Sequence, residues 1–393
     1  MEKLRLGDVC IDMHQGINTV ADKIQYCEKG YPIIQSKNIT KGILDTDDVR
    51  YIDRDKYMFY KEKYQPNKND ILIANIGTIG KSIVIDEIKE FLIAWNIFLI
   101  KVNQNKINSK YLNFYFNYLY RNNYYNKFLT GGTVKFINKK TMSNIEIPKI
   151  NLKEQIEIVN KLDKVQEIIY LRKKQIEELD ELIKSKFVEM FGNLKNTKYK
   201  VYKLSELTNL ITDGEHKKPN YSEKGIPFIS VVNITTGELI FDGCKFVSEE
   251  DAYKFNKRCN PEKDDILYTK VGATYGRSVI VNTNNKFTLY VSVCLIKPKK
   301  ELINPIFLNY TMRQPYVKLQ ADKCIKGIGV PDLHLIEIKN FNIIVPPIEK
   351  QNEFAKFVKQ IDKQKLVIEK SLKEAEELQE SLMNKYFGGD KHG

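Results

Sequence analysis

The sequence is an internal duplication, in which the second half repeats the first at an offset of about 195 residues. The segment Gly30–Ile34 (GYPII) returns as Gly225–Ile229 (GIPFI), 195 residues later. Further along, Phe191-Gly192 returns as Phe387-Gly388, 196 residues later. Solenoid repeats have periods of about 20–50 residues, so this pattern predicts two copies of one domain and not a repeat array.

The two copies share the residues that set backbone geometry, but the residues that lie between these shared positions mostly differ. Gln35-Ser36-Lys37 stands opposite Ser230-Val231-Val232, and Ala74-Asn75-Ile76 stands opposite Thr269-Lys270-Val271. Two copies of one scaffold therefore carry different surfaces. Such an arrangement is typical of a protein that binds two similar but non-identical targets at a fixed separation.

Length and charge restrict the possible partners. A chain of 393 residues is long enough for two or three domains, each with its own core. The formal net charge is +13, which favours a polyanionic partner because Lys and Arg that neutralise phosphates release counterions. A proteome rich in Lys and Asn is the alternative explanation for the charge.

No targeting or membrane segment is visible in the sequence. The first 20 residues mix charges and lack an apolar core. The longest apolar run, residues 91–100, is interrupted by Asn96 and is too short to span a bilayer. The six cysteines form no CxxC pair, so we expect reduced, mostly buried thiols in a cytoplasmic protein.

Each copy divides into a globular part and a helix. Short β-rich runs separated by Gly, Asn and Asp turns fill residues 1–150 and 193–346. Helical periodicity fills residues 151–192 and 347–388, and a short tail follows at 389–393. The sequence therefore predicts an α+β fold in which two similar mixed α/β domains are separated by two long helices.

Both helical segments carry a heptad-like apolar seam. Each would be roughly 35–40 residues long, or about 50–60 Å. A single helix would expose its apolar seam to water, so we expect the two helices to pack as an antiparallel coiled coil about a pseudo-twofold axis. The predicted seam residues are Ile158, Leu162, Val165, Ile169, Ile176, Leu179, Ile183, Phe354, Val358, Ile361, Ile368, Leu372, Ala375 and Leu382, interrupted by Arg172, Lys186, Lys365 and Gln379.

Helix start and stop signals frame these segments. Asn151 followed by Glu154 resembles a capping box, and Pro347 suits the first turn of a helix. Gly192 and Gly388 are well placed as helix stops.

This combination resembles the specificity subunit of type I restriction-modification systems, over essentially the whole chain. The resemblance rests on the repeat, on Ile147-Pro148 followed by Lys153-Glu154-Gln155, and on Val345-Pro346-Pro347 followed by Glu349-Lys350-Gln351. It also rests on Asp213–His216 (DGEH) before a Gly-x-Pro strand. The first copy departs from the pattern, with a single Pro before its helix and Gln-Gly in place of Asp213-Gly214.

The resemblance implies a non-catalytic subunit that recognises a bipartite sequence in double-stranded DNA. Each domain would recognise one half-site, and the helices would hold the half-sites about 34–36 Å apart, near one turn of DNA. The partners would be two methyltransferase subunits that use S-adenosylmethionine and restriction/translocase subunits that use ATP and Mg. A methylation-only or two-subunit nuclease system, or a coiled-coil adaptor without a DNA target, remain as alternatives.

Several short strings resemble catalytic motifs. Residues 77–82 (GTIGKS) resemble the end of a phosphate-binding loop, but Asn75 stands where its leading glycine belongs and the second copy has Arg277 for the lysine. Asp332 with Glu337-Ile338-Lys339 resembles a nuclease signature, but a strand with solvated charges is the preferred interpretation.

The histidines are also poor ligand candidates, because His14, His216 and His334 lack neighbours at metal-ligand spacing. We therefore predict no metal site, no catalytic constellation and no cofactor in this chain.

The candidate DNA contacts lie in turn-rich segments where the copies differ and where amides, hydroxyls or cations suit the grooves of DNA. They are Gln35, Lys37, Asn38, Asn75, Thr78, Lys81, Trp95, Asn96, Thr133 and Lys135 in the first domain, and His216, Lys217, Lys218, Asn233, Lys270, Thr274, Tyr275, Arg277, Ser292 and Lys326 in the second. The alternative is that many are ordinary loop residues, and that the shared Asn38 and Asn233 hold a turn.

Overall fold

The computed structural model describes residues 2–130, 134–192, 197–325 and 329–388. The chain folds into two compact units, the first comprising residues 1–173 and 370–393 and the second residues 174–369. Each unit therefore combines one globular part with segments of both long helices.

The first globular part alternates short strands with a few helices. Its strands are β1 (Lys3–Arg5), β2 (Cys10–Gln15), β3 (Tyr31–Ile34), β4 (Arg50–Ile52), β5 (Ile71–Ala74), β6 (Ser82–Val84), β7 (Leu92–Ile93), β8 (Ile97–Val102) and β9 (Glu146–Pro148). Its helices are α1 (Leu6–Val9), α2 (Arg54–Tyr64), α3 (Ser109–Arg121) and α4 (Lys139–Ser143), with 3-10 turns at Ser36–Ile39 and Tyr124–Phe128. The long helix α5 (Leu152–Phe191) follows.

The second globular part repeats this order. Its strands are β10 (Lys200–Lys203), β11 (Thr208–Asp213), β12 (Ile226–Ile229), β13 (Lys245–Val247), β14 (Ile266–Thr269), β15 (Ser278–Ile280), β16 (Thr288–Leu289), β17 (Val293–Pro298) and β18 (Asn342–Val345). Its helices are α6 (Glu249–Asn256), α7 (Pro305–Met312), α8 (Pro315–Cys324) and α9 (Leu335–Lys339), with 3-10 turns at Leu204–Leu207 and Val231–Asn233. The second long helix is α10 (Ile348–Phe387).

The sheet topology confirms the duplication strand for strand. The order β2-β8-β5-β6 in the first unit corresponds to β11-β17-β14-β15 in the second, and both sheets are antiparallel. The order β4-β3-β7 corresponds to β13-β12-β16, and the pair β1-β9 corresponds to β10-β18. A shift of the pairing register also recurs, in β2 between Cys10 and Asp12 and in β11 between Thr208 and Leu210. The predicted mixed α/β repeat is therefore correct.

The four-stranded sheet is buried on both faces, which explains the continuous apolar run in β8. Phe98 and Ile100 lie in the core cluster that includes α3 and the helix ends, whereas Ile97 and Leu99 lie in the cluster on the opposite side. Side chains alternate between the faces of a strand, so two cores require apolar residues at every position.

The copies differ after the helix that follows the sheet. In the first copy Asn123, with φ +55°, adopts the left-handed conformation just after α3 ends, and only a 3-10 turn follows. In the second copy Pro315 occupies the first turn of an additional helix, α8, where its fixed φ is already suited to helix.

Segment 335–339 corrects the preferred interpretation of the nuclease-like string. These residues form the short helix α9 and not a strand. Ile338 is fully buried on one face of it, whereas Ile336 on another face is exposed, a periodicity that suits a helix.

A buried glutamine begins each long helix. The Gln155 side chain accepts a hydrogen bond from Asn108 N at 2.7 Å and donates one to Ile150 O at 2.9 Å. Gln351 does the same in the second copy, accepting from Asn304 N at 2.8 Å and donating to Pro346 O at 2.8 Å. Because a buried amide must find partners, these bonds fix the entry of each long helix against the globular part. They give a structural reason for the Glu-Gln and Lys-Gln pairs that the sequence repeats.

The ends of both long helices complete both cores. Val159 and Leu162 near the start of α5 lie in the first core, together with Met383 and Phe387 from the end of α10. The second core contains the opposite ends, and its members from the helices are Ile183, Phe187 and Phe191 of α5 and Phe354, Val358 and Ile361 of α10.

Within each unit the two helices run antiparallel. In the first unit, Arg172 Nε donates to Ser371 Oγ at 3.2 Å, while Leu162 and Met383 share the core. In the second unit, Lys365 Nζ lies 2.9 Å from Asp180 Oδ1, and the rings of Phe187 and Phe354 are 5.4 Å apart. Every predicted seam residue is buried or half-buried.

The polar interruptions of the seam are explained by their partners. Arg172 and Lys365 make the contacts above, Lys186 pairs with Glu189 at 2.9 Å, and Gln379 accepts a hydrogen bond from Arg121 Nη2 at 3.2 Å.

Two further expectations concern membranes and thiols. Of the helices in the described ranges, none is both long enough and apolar enough to cross a membrane. The six cysteines are free thiols, but only Cys259 and Cys294 are buried, so the expectation of mostly buried thiols was wrong.

We predict that Phe387→Ala destabilises the protein strongly. The ring is 6% exposed, and its centroid lies 5.4–5.8 Å from the rings of Tyr111, Tyr115 and Tyr118. Removing a buried aromatic side chain costs about 3–5 kcal/mol, which a shift of the urea unfolding midpoint would report. Phe59→Ala is the control, because that ring is 78% exposed. Equal midpoints for both variants would show that the end of α10 does not complete the first core.

Candidate functional site

In each unit, several strand ends meet in one hydrogen-bonded cluster. In the first unit, the first strand-end surface consists of the last residue of β2, the residues that follow β3 and β5, and the two that precede β8, namely Gln15, Gln35, Asn75, Trp95 and Asn96. The corresponding residues of the second unit are Asp213, Ser230, Lys270, Val291 and Ser292, which we call the second strand-end surface.

The same backbone hydrogen bonds build both surfaces. Asn75 N donates to Asn96 O at 3.2 Å, as Lys270 N donates to Ser292 O at 3.0 Å. In the next layer, Trp95 N donates to Ile17 O at 2.9 Å, as Val291 N donates to Glu215 O at 3.0 Å. The backbone of the two surfaces is therefore equivalent, bond for bond.

The side chains on this common backbone differ at every position. The first surface offers amides and one indole, and the Trp95 side chain is exposed. The second surface offers an aspartate, a lysine and two hydroxyls. A shared backbone with different hydrogen-bonding groups suits recognition of two different targets of one kind.

The glycine that follows the first surface position cannot be replaced. A Cβ on Gly16 would lie 2.1 Å from Ile93 O, and a Cβ on Gly214 would lie 2.0 Å from Leu289 O. The backbone of the strand end passes too close to its neighbour for any side chain. This close approach accounts for the shared glycine in Gln15-Gly16 and Asp213-Gly214.

The shared asparagines hold turns, which is the alternative that the sequence left open. Asn38 Oδ1 accepts from Gln35 N at 3.0 Å, and Asn38 Nδ2 donates to Asp48 O at 3.1 Å. Asn233 makes the equivalent bonds to Ser230 N at 3.1 Å and Ile240 O at 3.2 Å. Both side chains are buried, and the oxygen and nitrogen of each amide both bond to the backbone of the turn.

The loop that resembles a phosphate-binding motif connects β5 to β6 in an antiparallel pair. Because a strand and not a helix follows Lys81, the loop lacks the helix N-terminus that binds phosphate in a true P-loop. Gly80, with φ +96°, packs against Tyr125, where a Cβ would come within 2.2 Å of the ring. The Lys81 ammonium lies 4.8 Å from the centroid of the Tyr120 ring, and burial together with nearby Arg121 lowers its pKa.

Asp213 is the centre of a charged network in the second unit. The carboxylate is buried, and its Oδ1 lies 3.0 Å from His216 Nε2 and 3.2 Å from Arg258 Nη2. Its Oδ2 lies 3.4 Å from Lys270 Nζ. In the first unit the corresponding Gln15 is neutral and donates from Nε2 to Trp95 O at 3.1 Å.

The predicted contact residues fall into four groups. The exposed group is Lys37, Trp95, Lys135, His216, Lys217, Lys218 and Arg277, and the half-buried group is Gln35, Thr78, Lys81, Asn96, Thr274 and Tyr275. The buried group is Asn38, Asn75, Asn233, Lys270 and Ser292. Thr133 and Lys326 lie outside the described residues.

Gln15 and Arg258 belong to these clusters although the sequence did not predict them, and Asp213 was not among the predicted contacts. The signal for Gln15 and Asp213 was present, because both precede a shared glycine while differing from each other. Arg258 gave no such signal, since it follows α6 and reaches Asp213 only through the fold.

Metal chemistry has no support in the described ranges. There, no three His, Cys, Asp or Glu side chains are placed to hold a metal ion. The ring nitrogens of His14 lie 2.9 Å from Asp12 Oδ2 and 2.8 Å from Lys63 O.

Comparison with known protein families gives a match in each half of the chain. The model of the type I restriction modification DNA specificity domain matches residues 1–181 and again residues 196–378. The two matches together cover most of the sequence.

Individual relatives agree with this match. The type I restriction enzyme EcoBI specificity subunit of Escherichia coli is 25% identical over 393 residues, covering 92% of this chain and 80% of the relative. The MjaVIII specificity subunit of Methanocaldococcus jannaschii is 22% identical over 340 residues, covering 82% and 79%. A crystal structure of a type I restriction-modification system S subunit from M. genitalium has the same fold, with a TM-score of 0.58, 16% identity and coverage of 98% and 95%.

We predict that Asn38→Ala lowers stability by about 1–3 kcal/mol, because it removes a buried side chain that bonds to Gln35 N and Asp48 O and leaves both without that partner. The measurement is thermal unfolding of the full chain. Lys37→Ala is the matched control, because its exposed ion pair with Asp48 contributes little. A loss for Lys37→Ala as large as that for Asn38→Ala would contradict the turn-holding role.

Proposed function

Because the chain belongs to the type I restriction-modification DNA specificity family, we propose that it recognises a bipartite DNA target as the specificity subunit of such a complex. The observation that carries the proposal is the pair of strand-end surfaces, which share backbone hydrogen bonds and differ in side chains. One surface would contact each half of the target. Two different half-sites would then require two different sets of hydrogen-bonding groups on one scaffold.

Charge supports DNA as the target. The formal net charge of +13 favours a polyanion, and exposed Lys37 and Lys135 in the first domain and Lys217, Lys218 and Arg277 in the second are suited to phosphates. Trp95 is an exposed member of the first strand-end surface and would pack on a base or a sugar. These residues are the proposed contacts.

The proposed division of the chain follows its two kinds of sequence. Residues 1–150 and 193–346 would be the two target-recognition domains, and residues 151–192 and 347–388 the helical spacers that set the distance between half-sites. The short tail at 389–393 has no proposed role.

We propose that the chain itself is not an enzyme. It would act by holding partner subunits on the recognised sequence, in the cytoplasm. The proposed partners are two methyltransferase subunits, which use S-adenosylmethionine, and restriction/translocase subunits, which use ATP and Mg. A methylation-only or two-subunit nuclease system would need the same DNA recognition and is the alternative assembly.

An apolar groove on the long helices suits a partner subunit. In the second unit it has a volume of about 730 Å³, and its apolar lining comes from Leu179 and Leu182 of α5 and from Val367 and Ile368 of α10. The rest of the lining is polar and consists of Gln175, Glu178, Lys363 and Gln364. Val367 is 70% exposed, and the adjacent Leu366 is 65% exposed. Exposed apolar side chains on a spacer helix are typical of a surface that a second protein covers. We propose that a methyltransferase subunit contacts this groove.

The experiment that tests the function is mapping of methylated DNA in cells that contain or lack this gene. We expect one split sequence motif to lose methylation when the gene is deleted. Exchanging residues 193–346 for the corresponding domain of a relative should change one half of the motif and keep the other. A motif that persists in the deletion strain would refute the proposal. Duplex-binding measurements separate the alternative of a coiled-coil adaptor without a DNA target. The specificity subunit should bind duplex DNA with an affinity that depends on the sequence and falls steeply with salt, and the adaptor should not.

We predict that Val367→Asp weakens assembly with the methyltransferase subunit, because a charge in an apolar contact loses its hydration without gaining a partner. Co-purification of the tagged subunit with the full chain measures the effect. Leu319→Asp on α8 is the control, since this side chain is 58% exposed and is not among the residues that line the groove. Co-purification of equal amounts with both variants would remove the groove as the contact surface.

A further inference from the structure

Asp332 places a carboxylate next to the second strand-end surface. The segment around it pairs with the backbone after β14, through Leu333 N to Lys270 O and Gly272 N to Pro331 O, both at 2.9 Å. Its side chain is 44% exposed, and its Oδ1 lies 3.7 Å from Lys270 Nζ. This distance is an ion pair and is too long for a hydrogen bond. Within the described residues the buried Oδ1 has no hydrogen-bond partner, so the carboxylate keeps capacity to accept.

The buried Lys270 forms an ion pair with Asp332. The Lys270 side chain is 8% exposed, and its ammonium lies between Asp213 and Asp332, at 3.4 Å and 3.7 Å. Taking a charged lysine out of water is costly unless anions compensate for it, and Asp213 and Asp332 are two such anions. On the other side, His334 Nε2 lies 4.0 Å from Asp332 Oδ2. The half-exposed carboxylate is thus held in position, on the side of its buried Oδ1, by a buried cation.

The first unit shows that the fold does not need this pair. There the corresponding backbone bridge joins Ile76 to Phe136, and the buried position is Asn75. The bridge forms with Phe in place of Asp332 and with Asn in place of Lys270, and both ends of the ion pair are missing together. A charged pair that the scaffold can build without is better explained by recognition than by folding.

A second observation at this place indicates an unfilled hydrogen-bonding role. Ser292 is 7% exposed, and within the described residues its Oγ has no hydrogen-bond partner. Its carbonyl accepts from Lys270 N, so the hydroxyl belongs to the same strand end. Buried polar atoms usually have a partner, and one without it calls for a ligand or water.

A carboxylate on a surface that faces DNA is repelled by phosphates unless it meets a donor. In the major groove, cytosine N4 donates, whereas guanine N7 and O6 and thymine O4 accept. Adenine N6 donates next to the N7 acceptor, which repels a carboxylate. The base that an aspartate recognises best is therefore cytosine.

We propose that Asp332 accepts a hydrogen bond from the N4 amino group of a cytosine in the half-site that the second domain recognises, and that Lys270 is its positioning residue. This inference rests on the proposed function. The DNA base is recognised by Asp332, and Lys270 acts through it, because the lysine is buried and engaged by two carboxylates.

Asp332→Asn tests the contact, since the amide keeps the size of the carboxylate and adds a donor. The full chain, assembled with its methyltransferase subunits, is measured for binding to duplexes that carry each of the four bases at each position of the methylated motif. We expect the unchanged protein to prefer cytosine at one position of one half-site. In the variant, the ratio of affinities for cytosine and for the other bases at that position should fall about tenfold, because one base contact contributes about that much discrimination. Preferences in the other half-site should stay the same.

Two variants separate positioning from general stability. Lys270→Asn, which copies the residue of the first domain, should lose the same preference at the same position. Lys270→Arg keeps the cation and should restore most of it. A merely structural role would weaken binding to all duplexes alike and leave the ratio between bases unchanged.

Asp264→Asn is the matched control. Asp264 is 42% exposed and pairs with Lys300 at 2.7 Å, but it precedes β14 at the end opposite to Lys270. Its left-handed φ of +73° is one that the first copy already builds with Asn69, at +70°. This variant should retain the cytosine preference in full.

Three results would decide the matter against us. If Asp332→Asn keeps the same base ratios at every position, or loses affinity equally for all bases, the inference is overturned while the proposed function stands. If the unchanged chain shows no preference among duplexes, the proposed function fails and the inference fails with it.

Discussion

The structure depends on the completion of each core by the ends of both long helices. Phe387 at the end of α10 packs against three tyrosines of α3, and Phe191 at the end of α5 packs against Phe307 and Phe354. Phe387 belongs to the long helix of the second copy but completes the first core. Phe191 belongs to the long helix of the first copy but completes the second core. The buried glutamines at positions 155 and 351 fix where each helix starts. Duplication thereby produces one interdependent protein, because a single copy would lack part of its core.

This dependence leaves the strand ends free to vary. The helix ends and the sheet carry the packing, whereas the strand-end surfaces are built by backbone hydrogen bonds that any side chain permits, except at Gly16 and Gly214. Gln15 stands where the second copy has Asp213, and Asn75 stands where it has Lys270, on the same backbone hydrogen bonds. The buried Lys270 is accompanied by the carboxylates that compensate its charge. Variation of recognition at constant fold is what a subunit that selects DNA sequences requires, and it follows here from the separation of packing and surface.

How far the sequence predicted the site can be judged from individual residues. Periodicity predicted the helices and their seam, because burial of one face imposes a repeat on the chain. The exposed cations and Trp95 were predicted as candidate contacts from their residue types and from their places in turn-rich segments. The network of Asp213, Arg258 and Lys270 was not, since it joins three segments that are distant in the chain and have no shared spacing. The roles of Asn38 and Asn233 were also open, because an asparagine in a turn can either cap the turn or contact a ligand, and only its partners decide.

The sequence by itself determined the duplication, the alternation of β-rich segments with long amphipathic helices and the basic charge, because repeats, periodicity and composition are properties of the chain order. It also contained the family resemblance. The tertiary structure decided which helix end completes which core, which polar side chains are buried with partners, and that Lys270 lies between Asp213 and Asp332. These are long-range pairings. Their energies depend on distance and burial, which a chain acquires only when it folds.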